Sequence, residues 1–435
     1  MTAPATDLAG WIAAQRWFAA KSRRIVGTQV EDRVRVGDAT VHVVRVGLDD
    51  GTVHTYVVPL RDEPPLADAF DDPAFCRALL DLIATTGRVG RERGEILGRP
   101  SVAFPRGLPA DVAVHRLTGE QSNTSVTFGD ALIVKYFRRL VPGVNPELEI
   151  SRYLTERVAF PHTPRLAGSL EYLPLDGPPA TLAVAHQLVP GARDGWRFVL
   201  ECLARGDAAL AALRRLGERT AALHLALGRD TADPAFDAET ITTTDVDAWT
   251  AAVQGQLDAA RAALGGRLPD GVASRVDSSG LSGLTGAVKL RHHGDFHLGQ
   301  TLAVGDGAEF YIIDFEGEPL RPIEERRRKH TPLRDVAGML RSLGYAAATA
   351  RAPADWEAQA RAAFLSGYRA VAGRAAFLPG DEPALARALA VLEVEKAAYE
   401  VVYEANNRPD WVTIPARGLV TATAALRSGR VAGAP

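Results

Sequence analysis

The chain has 435 residues, 46% of them hydrophobic, enough to bury more than one core and to fill two or three domains rather than one. With 50 basic against 53 acidic residues and a formal charge of −3, it has no global field for nucleic acid or an anionic membrane, so an anionic ligand must be held by local geometry. Two cysteines, Cys76 and Cys202, are too few for a disulfide framework, and MTAPATDLAGW holds no apolar run long enough for a signal peptide or a span; a reducing, cytoplasmic setting is expected.

In chain order, Asp7 stands where an N-cap would open a short helix over DLAGWIAAQRWF. Valines then alternate with polar residues over 26–60, with Asp49-Asp50-Gly51 as a hairpin turn. Residues 66–88 return to helical spacing through Phe70, Phe75, Leu79, Leu80 and Ile83. These pieces predict a small α+β module over 1–88, and GRVGRERGEILGRPS reads as the linker after it. Strands are expected near 112–118, 125–128 and 131–137. A helix follows from Asn145-Pro146 to about 157, with proline at its first position. LEYL and TLAVAHQLVP supply two more strands, completing a β-rich region over 89–190. Beyond 191 the chain is helical and Ala-rich, with β-like pieces only around 290–316.

The densest chemistry lies in HHGDFHLGQT, residues 292–301. One reading is a metal held by His292, His293 and His297, but no second Cys/His cluster completes a zinc site. Another makes Asp295 an ordinary turn aspartate. The third notes that Gln300 lies five residues after Asp295, and Asp314, in YIIDFEGE, fourteen after that. Phosphoryl transfer needs one carboxylate for the acceptor hydroxyl and two oxygen groups for the Mg²⁺ ions on the phosphates. Asp295, Gln300 and Asp314 occupy the places that protein kinases fill with the Asp and Asn of H-R-D-x-x-x-x-N and the Asp of D-F-G.

Upstream, Gln121, Ser122, Asn123, Thr124 and Ser125 sit between two strands where a turn over phosphates belongs. Lys135 in ALIVKYF resembles the strand lysine that meets the α/β-phosphates. Glu149, or Glu147, on the next helix is offered to pair with it. Gln187 to Val189 would form the hinge against adenine. ATP and Mg²⁺ are the expected cofactors.

The ordered motifs QRWF, EQSNTSV, FRR with GVNPELEI, HGDFHLGQ, IDFEGEP, TPLRDVAG and YEVVYEANNRPDWVTIP cover most of the chain. Together they resemble the actinobacterial maltokinases, within the aminoglycoside-phosphotransferase-like kinases. The resemblance implies a bilobal, eukaryotic-protein-kinase-like α+β fold with an N-terminal cap (1–88), a nucleotide-binding N-lobe (89–190) and a helical C-lobe (191–435). It implies Asp295 as catalytic base, Gln300 and Asp314 as Mg²⁺ ligands, and Lys135 as a phosphate contact. Phe296, Val402 and the stretch 342–348 depart from maltokinases and favour the related glucosamine kinases, with maltose 1-phosphate formation as the alternative to glucosamine 6-phosphate. A nucleotide-binding pseudokinase is the alternative of another class.

A sugar acceptor needs carboxylates, amides and aromatic faces. The candidates are Tyr399, Glu400, Tyr403, Glu404, Asn407 and Trp411, with Asp295, His297 and Glu316 nearer the loop. No nucleic acid or membrane partner is expected, and a monomer or weak homodimer is. His224 reads as a packed helical histidine, Asp335 as a helix N-cap, and Arg326 to Lys329 as a solvated patch paired with its neighbouring glutamates.

Overall fold

The structure, a computed structural model, describes residues 7–428 except Pro64, Arg91, 119–121 and Leu320. The chain forms two compact units that meet in sequence at Pro190 and Gly191.

In the first unit, α1 (Leu8–Ala14) is capped by Asp7, whose Oδ1 accepts from the Gly10 N–H at 2.8 Å. The valine-rich stretch becomes an antiparallel meander of β1 (Ile25–Val36), β2 (Ala39–Leu48) and β3 (Val53–Arg61). Helix α2 (Pro73–Thr85) starts with proline behind an Asp72 cap and buries Phe75, Leu79, Leu80 and Ile83. Then come β4 (Arg88–Gly90), β5 (Gly94–Pro100), β6 (Val114–Arg116), β7 (Asn123–Phe128), β8 (Leu132–Phe137), α3 (Pro146–Arg152), β9 (Leu166–Pro174) and β10 (Ala180–Gln187). Their strands form one seven-stranded sheet in the order β4-β5-β9-β10-β8-β7-β6.

GRVGRERGEILGRPS is therefore not a linker. It is the β4–β5 hairpin, and two of its glycines answer to packing rather than to flexibility. A Cβ on Gly98 would lie 1.9 Å from the Leu82 carbonyl oxygen of α2, and one on Gly94 would lie 2.5 Å from the Tyr172 ring. Close approach of a helix and an aromatic ring leaves no room for a side chain at either position.

One hydrophobic core joins both sheets: Val34, Val41 and Val43 of the meander, Phe75 and Ile83 of α2, and Val126, Val134 and Leu170 of the larger sheet pack together. A buried polar joint reinforces it. Arg138, fully buried, hydrogen-bonds Asp68 and donates to Thr124 Oγ1 at 2.8 Å, while its guanidinium lies 4.9 Å from the Trp17 ring centre and 4.5 Å from that of Phe70. Tyr172 Oη, on β9, donates to the buried Asp32 of β1 at 2.8 Å, a hydrogen bond between the two sheets.

The second unit contains β11 (Arg193–Asp194), α4 (Gly195–Ala204), α5 (Leu210–Leu227), β12 (Glu239–Thr240), α6 (Thr243–Ala263), β13 (Val288–Lys289), β14 (Thr301–Val304), β15 (Glu309–Ile312), α7 (Ile323–Arg326), α8 (Leu333–Ala350), α9 (Trp356–Ala372), α10 (Glu382–Asn407) and α11 (Thr413–Ser428). Helices α5 and α9 cross at backbone contact, because Gly217 faces the Phe364 carbonyl and Gly367 faces that of Arg214. The central α10, 26 residues long, is buried along much of its length and tied to α9 by the Arg361–Glu393 pair at 2.6 Å. Among the described residues no helix is long and apolar enough to cross a membrane.

Candidate active site

The loop HHGDFHLGQT is suspended from Asp335 on α8. This carboxylate accepts from the backbone N–H groups of His293 (2.8 Å) and Gly294 (2.9 Å) and from His224 Nε2 (3.1 Å); the other ring nitrogen of His224 accepts from Tyr368 Oη at 2.9 Å. Asp335 is thus no helix cap; the residue before α8 is Pro332. Burial opposes its charge, but the His224 hydrogen bond and the surrounding imidazoles hold the carboxyl well below the usual range. His224 is packed, as its spacing predicts, yet it also orients the anchor.

His293 braces the loop from the other side. Its Nε2 donates to the Ile313 carbonyl (2.9 Å), leaving Nδ1 to accept from the Asp295 N–H (3.4 Å). His297 Nδ1 accepts from Gly299 N–H at 3.1 Å. The three histidines of the loop do not form a metal centre: among the described residues no group of three or more His, Cys, Asp or Glu side chains is placed to hold an ion. His292 is buried and kept neutral, its pKa pulled by burial to about 4 against the pull of Asp335.

The fourteen-residue gap between Gln300 and Asp314 is a β-hairpin. Strand β14 begins just after Gln300, β15 ends two residues before Asp314, and Thr301 pairs with Ile312. The Ile313 N–H then donates to the Gln300 carbonyl at 3.0 Å, which places Gln300 and Asp314 together at the open end of the hairpin. Asp314 adopts a left-handed backbone, φ 68°, a conformation held against its own preference. A carboxylate and an amide oxygen at this point suit Mg²⁺, which takes few protein oxygens and completes its shell with water and phosphate.

Beside Asp295 opens a cavity of about 430 Å³. Its wall includes His297, Tyr399, Glu400, Tyr403, Glu404 and Trp411, all expected, and also Asp194, Trp196, Ser342, Tyr345, Lys396 and Arg408. Tyr399 and Tyr403 stack at 6.5 Å, and Tyr345 stacks on Trp411 at 6.4 Å, giving two aromatic faces. Glu404 is clamped by Arg408 at 2.7 and 2.8 Å and accepts from Tyr345 Oη at 3.3 Å. Glu400 accepts from Arg341 Nε at 3.0 Å; burial nevertheless pushes its carboxyl above the usual range. Tyr399 Oη is buried with no hydrogen-bond partner among the described residues, leaving a polar atom for a ligand.

Two expected acceptor residues fall outside this wall. Asn407 is exposed and its amide turns back to the Tyr403 carbonyl (2.8 Å), since α10 ends there. Glu316 does not line the cavity, and its backbone carbonyl accepts from Arg326 Nη1 at 3.0 Å. Glu318, two residues on, is buried. The patch from Arg326 to Lys329 is not paired only with its neighbouring glutamates, because Lys329 reaches back to Glu239 (2.6 Å) and the Pro234 carbonyl (2.7 Å).

In the first unit, Lys135 sits in the middle of β8, opposite Ser125 and Val184. Glu147, on α3, is buried and lies 3.6 Å from His186; Glu149 follows it in the first turn of the same helix. Asn123, Thr124 and Ser125 all lie within β7, Thr124 and Ser125 buried and Thr124 bonded by Arg138; Ser122 precedes the strand, and Gln121 lies outside the described residues. The Gln187 amide donates to the Ala103 carbonyl at 2.8 Å. The backbone N–H of Leu188 is satisfied by Ala131, and Val189 follows it with no backbone hydrogen bond among the described residues.

Lys396, Asp194, Trp196 and Tyr345 escaped the sequence reading. Only Lys396 left a trace there, three residues before Tyr399 on the same helical face.

A β-sheet lobe, a helical lobe and an HGD loop paired with a left-handed aspartate after a hairpin define a phosphotransferase of the protein-kinase-like α+β fold. Residues 11–78 match the maltokinase N-terminal cap domain. The chain is 31% identical over 345 residues to a glucosamine kinase of Streptacidiphilus jiangxiensis (73% of this chain, 76% of that protein) and 30% identical over 320 residues to one of Mycolicibacterium smegmatis (69% and 77%). A solved glucosamine kinase in complex with glucosamine, ADP and inorganic phosphate superposes with a TM-score of 0.65 at 25% identity, covering 96% of this chain and 99% of that one. The chain belongs to the family of these glucosamine kinases, and it is a kinase.

Proposed function

We propose that the chain transfers the γ-phosphoryl group of ATP to the 6-hydroxyl of glucosamine. The observation that carries this reading is the charge of the cavity beside Asp295: Asp194, Asp295, Glu400 and Glu404 line it, and among the described residues Asp295, Glu400 and Glu404 are bound by Lys396, Arg341 and Arg408 while Asp194 has no basic partner. An excess of carboxylates favours a sugar bearing an ammonium over a neutral one, through charge-assisted hydrogen bonds. The stacked aromatic pairs offer flat faces to a pyranose ring.

In the proposed reaction Asp295 accepts a hydrogen bond from the acceptor hydroxyl and takes its proton as the new O–P bond forms and the bond from Pγ to the leaving ADP oxygen breaks. Gln300 and Asp314 would hold Mg²⁺, which lowers the charge on the phosphates when bound. Lys135, supported by Glu149, would meet the α/β-phosphates, with Ser122 and Asn123 above them and Val189 at the adenine.

A second reading has one observation in its favour: the match of residues 11–78 to the maltokinase cap speaks for maltose. An ADP-release assay over glucosamine, glucose, maltose and an aminoglycoside separates the two. Glucosamine is expected to give the highest kcat/KM, and preference for maltose would overturn the first reading.

A further inference from the structure

Lys396 projects from α10 into the wall of the acceptor cavity, its side chain only 14% exposed. Its ammonium donates to Asp295 Oδ1 and to Glu318 Oε1, each at 2.8 Å, and lies 4.8 Å from the centre of the Tyr399 ring. Glu318 is itself fixed, bonded by Arg321 and 3.7 Å from Arg334, and both arginines also hold Glu395 at 3.2 and 3.0 Å. The cation is therefore locked in place beside the carboxylate that receives the acceptor hydroxyl.

Two effects follow from elementary electrostatics. One oxygen of Asp295 is committed to Lys396, which fixes the plane of the carboxylate and leaves Oδ2 for the acceptor. A fixed positive charge also lies at this end of the cavity, whereas Glu404 stands eight residues further along α10, about 12 Å away along the helix axis. Asp194 is the carboxylate of the wall with room for a cation: among the described residues no basic side chain lies within ion-pair distance of it, and its Oδ1 accepts only from the Arg197 N–H at 2.8 Å, whereas Glu404 is already held by Arg408. An ammonium next to Lys396 would suffer like-charge repulsion in a half-buried site, where screening is weak.

We propose that Lys396 is a positioning and specificity-determining residue: it aims Asp295 at the acceptor hydroxyl and turns an amino sugar so that its ammonium points away from Asp295. In a 2-amino sugar the 1- and 3-hydroxyls flank the amine and are carried away with it. The 4-hydroxyl and the exocyclic primary hydroxyl, across the ring, are brought to the side of Asp295, and the exocyclic one, turning about C5–C6, reaches furthest toward it. Lys396 thereby sets which oxygen is phosphorylated; this part rests on the glucosamine reading, while the aiming of Asp295 does not.

The test uses the full-length enzyme with Lys396→Met, Lys396→Gln and Lys396→Ala. Retained ADP binding by calorimetry certifies the fold of each, and Lys396→Gln, which keeps a donor for Glu318, serves if the methionine variant fails to fold. Lys396→Met is expected to lower kcat by about 10²-fold with sugar KM changed far less, because a positioning group acts on the reacting geometry. Propylammonium, filling the space left in Lys396→Ala, is expected to restore at least part of the rate, and ¹H–³¹P correlation of the variants' products from glucosamine should show phosphate on more than one oxygen. A kcat within about three-fold of wild type for a folded variant would overturn the proposal. So would a loss that propylammonium does not reverse and that leaves the product a single isomer, the result of a structural role alone. If wild type rejects glucosamine, the substrate reading fails, and the rate loss and its rescue with whichever sugar is accepted still decide the aiming of Asp295.

Discussion

Asp295 is surrounded by groups that fix its geometry before any substrate arrives. His293 receives its backbone N–H, Asp335 suspends the two residues ahead of it, and Lys396 binds its side chain. Substitution of Asp295 by Asn keeps the shape and removes the proton acceptor. Turnover is expected to fall by about 10²-fold or more with nucleotide affinity nearly unchanged, measured by ADP release and by calorimetry with ADP. Unaltered turnover would remove Asp295 from its role. The residues of this part of the site were legible in the sequence because Asp295, Gln300 and Asp314 share one loop and one hairpin, whose spacing is written directly in the chain. Lys396 and Asp194 were not, because they enter from segments about 100 residues to either side and no local pattern marks which helical face meets the loop. Thr124 and Gln187 show a related limit: a polar residue near a binding turn looks the same in sequence whether or not its side chain is engaged within the protein, as these are by an arginine and a carbonyl.

Helix α8 acts as the bench on which the catalytic loop rests. It contributes Asp335 at its first turn and Gly338 one turn later, where a Cβ would come within 2.6 Å of the Phe296 carbonyl oxygen. Gly338→Ala must push the loop and the helix apart, because backbone cannot yield as a flexible side chain does. The expected result is a fall in kcat of at least about ten-fold with helix content by circular dichroism unchanged; an alanine variant with full activity would show that the loop relaxes freely. The same physics explains the misread linker. Glycine-rich sequence signals freedom when only the chain is known, yet Gly94, Gly98 and Gly338 are small because something else occupies the space. The helices and the meander were readable from periodicity, since their apolar positions repeat at the spacing of the element that buries them.

At the scale of the molecule, buried titratable groups make stability depend on acid. His292 keeps a folded pKa of about 4, below the value near 6.5 of an exposed imidazole, so the unfolded chain takes the proton first as pH falls. Its contribution is full above about pH 6.5 and is lost between there and pH 4, on the order of 3 kcal/mol in all. Glu318 follows in a lower window. Burial pushes its carboxyl up, but Lys396, Arg334 and Arg321 outweigh that and hold it at about 2, so its contribution is present above the ordinary value of 4.5 and lost as pH falls toward 2. Thermal midpoints are expected to decline steadily from pH 7 to 4, and more shallowly in His292→Phe. Equal slopes for the two proteins would rule out His292 as a source of the decline.

The core that joins the meander to the larger sheet also bears on how this protein can be cut and recombined. The segment matching the cap domain ends at residue 78, inside α2, whose Leu79, Leu80 and Ile83 fill the same core as Val34 and Val134. A cut there severs a helix and strips an apolar face from each fragment, so residues 79–435 expressed alone are expected to be recovered as aggregate. A soluble fragment with native-like melting would show that the core closes without the cap. Inheritance faces the same constraint as the experimenter: the cap is exchangeable between kinases only together with the sheet it is sewn to, and a viable junction lies near Pro190, where the first unit ends.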